Sequence, residues 1–159
     1  MEEKPLHFLY PAALFASATP HKVSTILGSC VAVCLYDPII KIGGINHFML
    51  PLWNGQGLAS PKYGNIAIER LVEKMVSLGA KRSNLQAKVF GGGEVIETTI
   101  SQFNIGARNI QLAFEALEDL RIPVIAKSVG GKLGRKIEYD TATGEVKQRY
   151  IEKTLGQSQ

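Results

Sequence analysis

Apolar residues change their spacing along this chain. Before residue 51 they come in short runs, CVAVCLY at 30–36 and KIGGINHFML at 41–50, with weaker candidates around Ala12 to Ala18 and Lys22 to Leu27. Short runs rich in Val, Ile, Tyr and Phe read as strands, and Asp37-Pro38 reads as the turn between the two clearer ones. PLWNGQGLASPKYGN, residues 51–65, reads as a long loop. The period then lengthens: Ile68, Leu71, Val72, Met75 and Leu78 follow helical spacing, and Gly79 is placed to end that helix in a left-handed turn. A second helix is predicted from about Ile105 to Leu120, with Ile110, Ala113, Phe114, Leu117 and Leu120 on one stripe and Pro123 just beyond. AKVFGGG reads as a strand ending in glycines. PVIAKSVGG, GRKIEYD and EVKQRYI supply three more strands, the last two joined through Thr141 to Gly144. Two helices with a largely antiparallel or mixed sheet predict an α/β sandwich.

Size and charge narrow the class. The 159 residues, 45% hydrophobic and 20% charged, suit one domain over residues 1–159, with no internal repeat. No run approaches the roughly 18 apolar residues that a membrane span needs, so no membrane insertion is expected. MEEKPLHFLY lacks a basic segment followed by an apolar core, which predicts a cytoplasmic protein. The net charge of +4 is concentrated after residue 120, where Arg121, Lys127, Lys132, Arg135, Lys136, Lys147, Arg149 and Lys153 stand against four acids. A solvated basic face accounts for this, and an acidic protein partner is the next reading. Nucleic acid is not expected, because no aromatic residues interleave for base stacking and no recognition motif appears.

Chemistry concentrates in STILGSCVAVCLYDPIIKIGGINHF, residues 24–48, which holds both cysteines and one of three histidines. A hairpin centred on Pro38-Ile39 would oppose residues summing to 77, placing Cys30 opposite His47. Opposed Cβ atoms lie roughly 4.5–5.5 Å apart, within reach of proton exchange between thiol and imidazole. A bulge at Gly43-Gly44 would swap the faces. Cys34 shares the face of Cys30 about 13 Å along the strand, too far for a disulfide, and reads as core filler. On a helix the two thiols would be neighbours and, with His47, three zinc ligands; Val31, Val33 and Tyr36 favour the strand. Cys30 is then either another small buried hydrophobe or a nucleophile. Gly28 and Ser29 before it can aim backbone N–H groups at an oxyanion, and Ser24 or Thr25 offers a hydroxyl to orient His47. Gly91 to Gly93 read as a turn allowing close backbone approach, since no Walker lysine follows. Arg108 reads either as a structural ion pair or as a contact to a substrate or partner helix.

The segments LGSCVAVCLYDP, GGINHFMLP, FGGGEVI, NIGARN and GGKLGRKIEYDTATGEV resemble, in order and spacing, the CheD family of bacterial chemoreceptor glutamine deamidases. The resemblance implies a cytoplasmic protein-glutamine glutaminase that converts glutamines of methyl-accepting chemotaxis receptors to glutamate, with some methylesterase activity. It implies an α/β/α sandwich similar to the catalytic domain of deamidating bacterial toxins, with no metal and no cofactor. Carried over residue by residue, it makes Cys30 the nucleophile and His47 its base. The family's third member, a threonine six residues before the cysteine, falls on Ser24, the hydroxyl chosen here to orient His47, while Thr25 stands one place closer. The implied partners are chemoreceptor cytoplasmic helices and a CheC-type CheY-phosphate phosphatase or a CheY-type response regulator. A non-catalytic module regulating such a phosphatase or response regulator is the alternative.

Overall fold

The computed structural model describes residues 3–94 and 104–152. Among these, nine strands form two sheets and two α-helices cover one of them. The first sheet runs in the order β1 (Leu6–Phe8), β3 (Lys22–Leu27), β8 (Gly134–Asp140), β9 (Val146–Ile151). The second runs β2 (Leu14–Ser17), β5 (Ile42–Asn46), β4 (Val31–Asp37), β6 (Gln86–Gly91), β7 (Val124–Val129). Most neighbours are antiparallel; β1 with β3 and β6 with β7 are parallel. The β6–β7 pair needs a crossover, which α2 (Ile105–Asp119) supplies.

Strand β4 explains the apolar run that marks it in the sequence. Val31, Val33 and Leu35 face α1 (Gly64–Ser77) and α2, while Ala32 and Cys34 face Val23, Leu27, Ile137 and Tyr139 of the first sheet. A strand covered on both faces has no polar alternation to show. The layers are therefore helices, second sheet, first sheet. This corrects the expected α/β/α order: among the described residues both helices lie on one face of the second sheet, and the first sheet occupies the other. A sequence pattern reports that a strand is buried on both faces without saying by what.

The helices follow their stripes. Ile68, Leu71, Val72 and Met75 are buried under the second sheet, and α1 ends at Gly79, whose φ is +109°. In α2, Leu112, Ala113 and Leu117 are buried, whereas Leu120 lies past the helix end and is partly exposed. Strand β1 was not expected; its three residues, Leu6, His7 and Phe8, are exposed and it exists through backbone pairing with β3. In the basic segment, Arg135 departs from a solvated face: it is buried, and its guanidinium donates to the Ser128 carbonyl and hydroxyl and to the Gly130 carbonyl. Val95 and Ile96 of FGGGEVI, and Lys153, lie outside the described residues. No helix among the described residues is long and apolar enough to cross a membrane.

The glycines after β6 press against the segment before β4. A Cβ on Gly91, whose φ is +106°, would lie 2.3 Å from the Cys30 carbonyl oxygen. At Gly130, φ is +81° and a Cβ would meet nothing within 4 Å. Gly130→Ala is therefore expected to cost about 1 kcal/mol for its backbone conformation alone. Gly91→Ala, which also drives backbone into backbone, is expected to cost at least about 3 kcal/mol in urea unfolding. Equal costs would show that Gly91 is needed only for its φ.

Candidate active site

The hairpin that carries Cys30 and His47 is set by Asp37. Its buried carboxylate accepts from the N–H groups of Ile39 (2.9 Å) and Ile40 (3.4 Å) through one oxygen and from Lys81 N–H (3.0 Å) through the other. Burial acts to raise its pKa, but these donors outweigh it and hold the carboxyl below its ordinary value. The result is a four-residue turn, 38–41, with Lys41 at φ +59°. Pairs across it sum to 79, as in Cys34 with Ile45 and Val31 with Phe48. The expected register of 77 is thus corrected by two residues. A slip of two preserves side-chain parity, so Cys30 and His47 still point to the same face, toward the first sheet. They are diagonal rather than opposed, a spacing of about 7–8 Å that longer side chains span. No hydrogen bond joins the Cys30 thiol to His47 among the described residues, and resting active sites often tighten only when substrate binds.

His47 is held from the other sheet. The Thr25 hydroxyl on β3 lies 2.7 Å from His47 Nδ1 and 2.7 Å from the Leu9 carbonyl oxygen. A hydroxyl has one hydrogen, and a carbonyl can only accept. Thr25 therefore donates to Leu9 and accepts from Nδ1–H, which puts the imidazole proton on Nδ1 and leaves the Nε2 lone pair free. The Ala12 N–H donates to the His47 carbonyl at 2.8 Å, so the crossing segment from Leu9 to Ala12 grips both residues. Ala12 does so at φ +69°, a conformation L-residues adopt only under constraint. Burial lowers the His47 pKa to about 4, so the ring is a neutral base at neutral pH. Burial also raises the Cys30 thiol above its ordinary value. The resting pair is neutral thiol and neutral imidazole.

Ser24 does not take part in this contact. Along β3, Val23, Thr25 and Leu27 turn inward and Lys22, Ser24 and Ile26 turn outward. The choice of Ser24 as the orienting hydroxyl is corrected: it sits on the opposite face, and Thr25 meets His47.

The segment before Cys30 is anchored by its carbonyl groups. Gly93 N–H donates to Gly28 O (2.9 Å), Gly92 N–H to Cys30 O (2.8 Å), and the Asn109 amide to Ser29 O (3.0 Å). The carbonyl groups of Gly28, Ser29 and Cys30 are thus all engaged. Asn109 is a residue the sequence reading passed over; it lies in the same NIGARN segment as Arg108, which is exposed and makes no ion pair among the described residues. Cys34 is fully buried between the sheets with its thiol pushed far up by burial, and is inert filler. Among the described residues no group of three His, Cys, Asp or Glu is placed to hold a metal ion.

The correction at β3 is open to a direct check. Thr25→Val keeps the shape and removes the acceptor for Nδ1–H; Ser24→Ala removes an outward hydroxyl. Alkylation of Cys30 by iodoacetamide at neutral pH is expected to slow about tenfold in Thr25→Val, the worth of one hydrogen bond. Ser24→Ala should stay within about twofold, well inside that bond's worth. The reverse ranking would return the role to Ser24.

The family model described as CheD chemotactic sensory transduction matches residues 49–150. A protein of Trichlorobacter lovleyi, 53% identical over 140 residues, covers 88% of this chain and 87% of its own length. One from Sulfurimonas denitrificans is 44% identical over 153 residues, with 92% and 95% covered. One from Rhodospirillum rubrum is 42% identical over 151 residues, with 95% and 85% covered. All three bear the name probable chemoreceptor glutamine deamidase CheD. The crystal structure of the Bacillus licheniformis hypothetical protein YfiH aligns with TM-score 0.48 at 16% identity, over 72% of this chain and 49% of that one. With a family model over most of its length and relatives this similar end to end, the chain belongs to the CheD chemotactic sensory transduction family.

Proposed function

We propose that this chain is a cysteine-dependent protein-glutamine deamidase that hydrolyses glutamine side-chain amides on the cytoplasmic helices of chemoreceptors. The observation that carries the reading is the Leu9–Thr25–His47 chain of hydrogen bonds, which leaves a neutral imidazole with Nε2 unprotonated on the face that Cys30 shares. Family membership and the printed names of the relatives supply the substrate class.

The chemistry follows from those groups. As Cys30 Sγ attacks the glutamine Cδ, the thiol proton passes to His47 Nε2 and the carboxamide oxygen becomes an oxyanion. N–H groups of Ser29 and Cys30 receive that charge. The imidazolium then protonates the amide nitrogen, ammonia leaves, and a thioester remains. Water, deprotonated by Nε2, attacks the thioester; collapse expels the Cys30 thiolate, which recovers its proton from His47, and glutamate is released. The scheme uses no metal or organic cofactor. The same steps with methanol as leaving group would hydrolyse glutamate methyl esters.

The reading extends to a cytoplasmic protein whose 159 residues act as one domain, kin to the catalytic domain of deamidating toxins, and regulated by a CheC-type phosphatase or a CheY-type response regulator. These points rest on the motif resemblance. The alternative, an interaction module without catalysis, keeps Cys30 only for packing.

The deciding experiment incubates receptor cytoplasmic fragments with the protein. Wild type is expected to release ammonia and add about one dalton per converted glutamine, and Cys30→Ala to do neither while its unfolding midpoint stays unchanged. Because His47 must be neutral and its folded pKa is about 4, kcat/KM should fall as pH drops through about 4 and stay level near 6.5. Turnover by Cys30→Ala would sink the nucleophile, an inert wild-type thiol would favour the interaction module, and an acid limb near 6.5 would contradict the buried neutral base.

A further inference from the structure

Asn109 is fully buried in α2, and its Nδ2 donates to two main-chain oxygens, Ser29 O and Met49 O, each at 3.0 Å. Both acceptors are carbonyls, which fixes the amide with its NH2 end toward them. Ser29 precedes the nucleophile and Met49 follows the base by two residues, so one side chain ties the two segments together. Its Oδ1 is buried without a partner among the described residues.

A peptide unit is planar and trans, so its C=O and the following N–H point in opposite directions. Anchoring a carbonyl therefore aims the next N–H. Gly93 holds Gly28 O and so aims Ser29 N–H; Asn109 holds Ser29 O and so aims Cys30 N–H. Gly92 holds Cys30 O, and the next N–H, that of Val31, is taken up by Phe48 O at 3.1 Å. The N–H groups of Ser29 and Cys30 have no partner within the chain among the described residues. Two adjacent donors beside a thiol, each turned by a pinned carbonyl and without a partner among the described residues, are what a developing oxyanion requires.

We propose that Asn109 is a positioning residue that sets the oxyanion site by fixing the Ser29–Cys30 peptide plane and locking it to the segment after β5 that carries His47. This rests on the thiol hydrolase reading above. Asn suits the place and its relatives in shape do not: aspartate would set oxygen against two carbonyl oxygens, and glutamine would reach one methylene too far.

The test separates oxyanion stabilisation from thiol placement. Alkylation by iodoacetamide displaces iodide at carbon and forms no oxyanion, so it reads the thiol and its base alone. Asn109→Asp is expected to lower kcat for ammonia release about 100- to 1000-fold. KM for the receptor fragment and the Cys30 alkylation rate should stay within about twofold, because the lost interaction exists only in the transition state. A peptide bearing glutamate γ-semialdehyde adds to the thiol and places its oxygen in the same site; Asn109→Asp should weaken that adduct by a similar factor. Asn109→Ser, with one donor for two carbonyls, serves if Asn109→Asp does not fold and should show the same selective loss. Unchanged aldehyde affinity, an alkylation rate that falls in step with kcat, or failure of both variants to fold would overturn the proposal. A wild type that releases no ammonia but shows the aldehyde difference would remove only the deamidase reading.

Discussion

Thr25 has one hydroxyl hydrogen, and the Leu9 carbonyl takes it. What remains for His47 is an acceptor, so the direction of a single hydrogen bond decides which imidazole nitrogen is a base. The interaction joins three parts of the fold: Thr25 belongs to the first sheet, His47 follows a strand of the second, and Leu9 lies on the segment crossing between them. The stacking of the two sheets therefore fixes the His47 ring as well as the core. A neutral hydroxyl orients the ring without the stabilisation that a carboxylate would give an imidazolium. Together with burial, this keeps His47 uncharged until a proton is delivered to it.

Cys30 is placed by a different means. Here the main chain does the work: a triple-glycine turn after β6 comes close enough to hold the carbonyls on either side of Ser29, and no residue with a Cβ fits at Gly91. Helix α2 closes against the same turn, since a Cβ on Gly106 would lie 2.4 Å from Gly92 O. That contact brings Asn109 over the Ser29 carbonyl. Cys30 and His47 thus sit on one face of the second sheet, one located mainly by backbone contacts and the other by a side-chain relay.

Much of this was legible in the chain. The amphipathic stripes gave α1 and α2, the β8–β9 hairpin followed from its turn, and Cys30 and His47 keep a common face, diagonal rather than opposed, despite a two-residue error in register, because parity is unchanged by an even slip. The register itself was hidden by Lys41, an ordinary residue in a left-handed conformation whose N–H closes the turn on the Asp37 carbonyl while the Asp37 carboxylate holds Ile39 and Ile40. Ser24 and Thr25 are adjacent hydroxyls, and alternation says that one faces inward without saying which; Val23 and Leu27, both buried, show it to be Thr25. Leu9 contributes through its backbone, which no side-chain pattern reveals. Asn109 was not legible, because a single amide in a helix gives no sign in the sequence that it is buried against main-chain carbonyls. The covering of the second sheet by another sheet was unreadable for a similar reason: apolar runs do not name their neighbours.

The state of the His47 ring can be observed directly. Long-range 15N–1H correlation spectra of the labelled wild-type protein at neutral pH should show Nδ1 as the protonated, pyrrole-type nitrogen and Nε2 as the unprotonated, pyridine-type one, with titration only near pH 4. In Thr25→Val that tautomer preference should be lost. A proton on Nε2, or an imidazolium at neutral pH, would contradict the account.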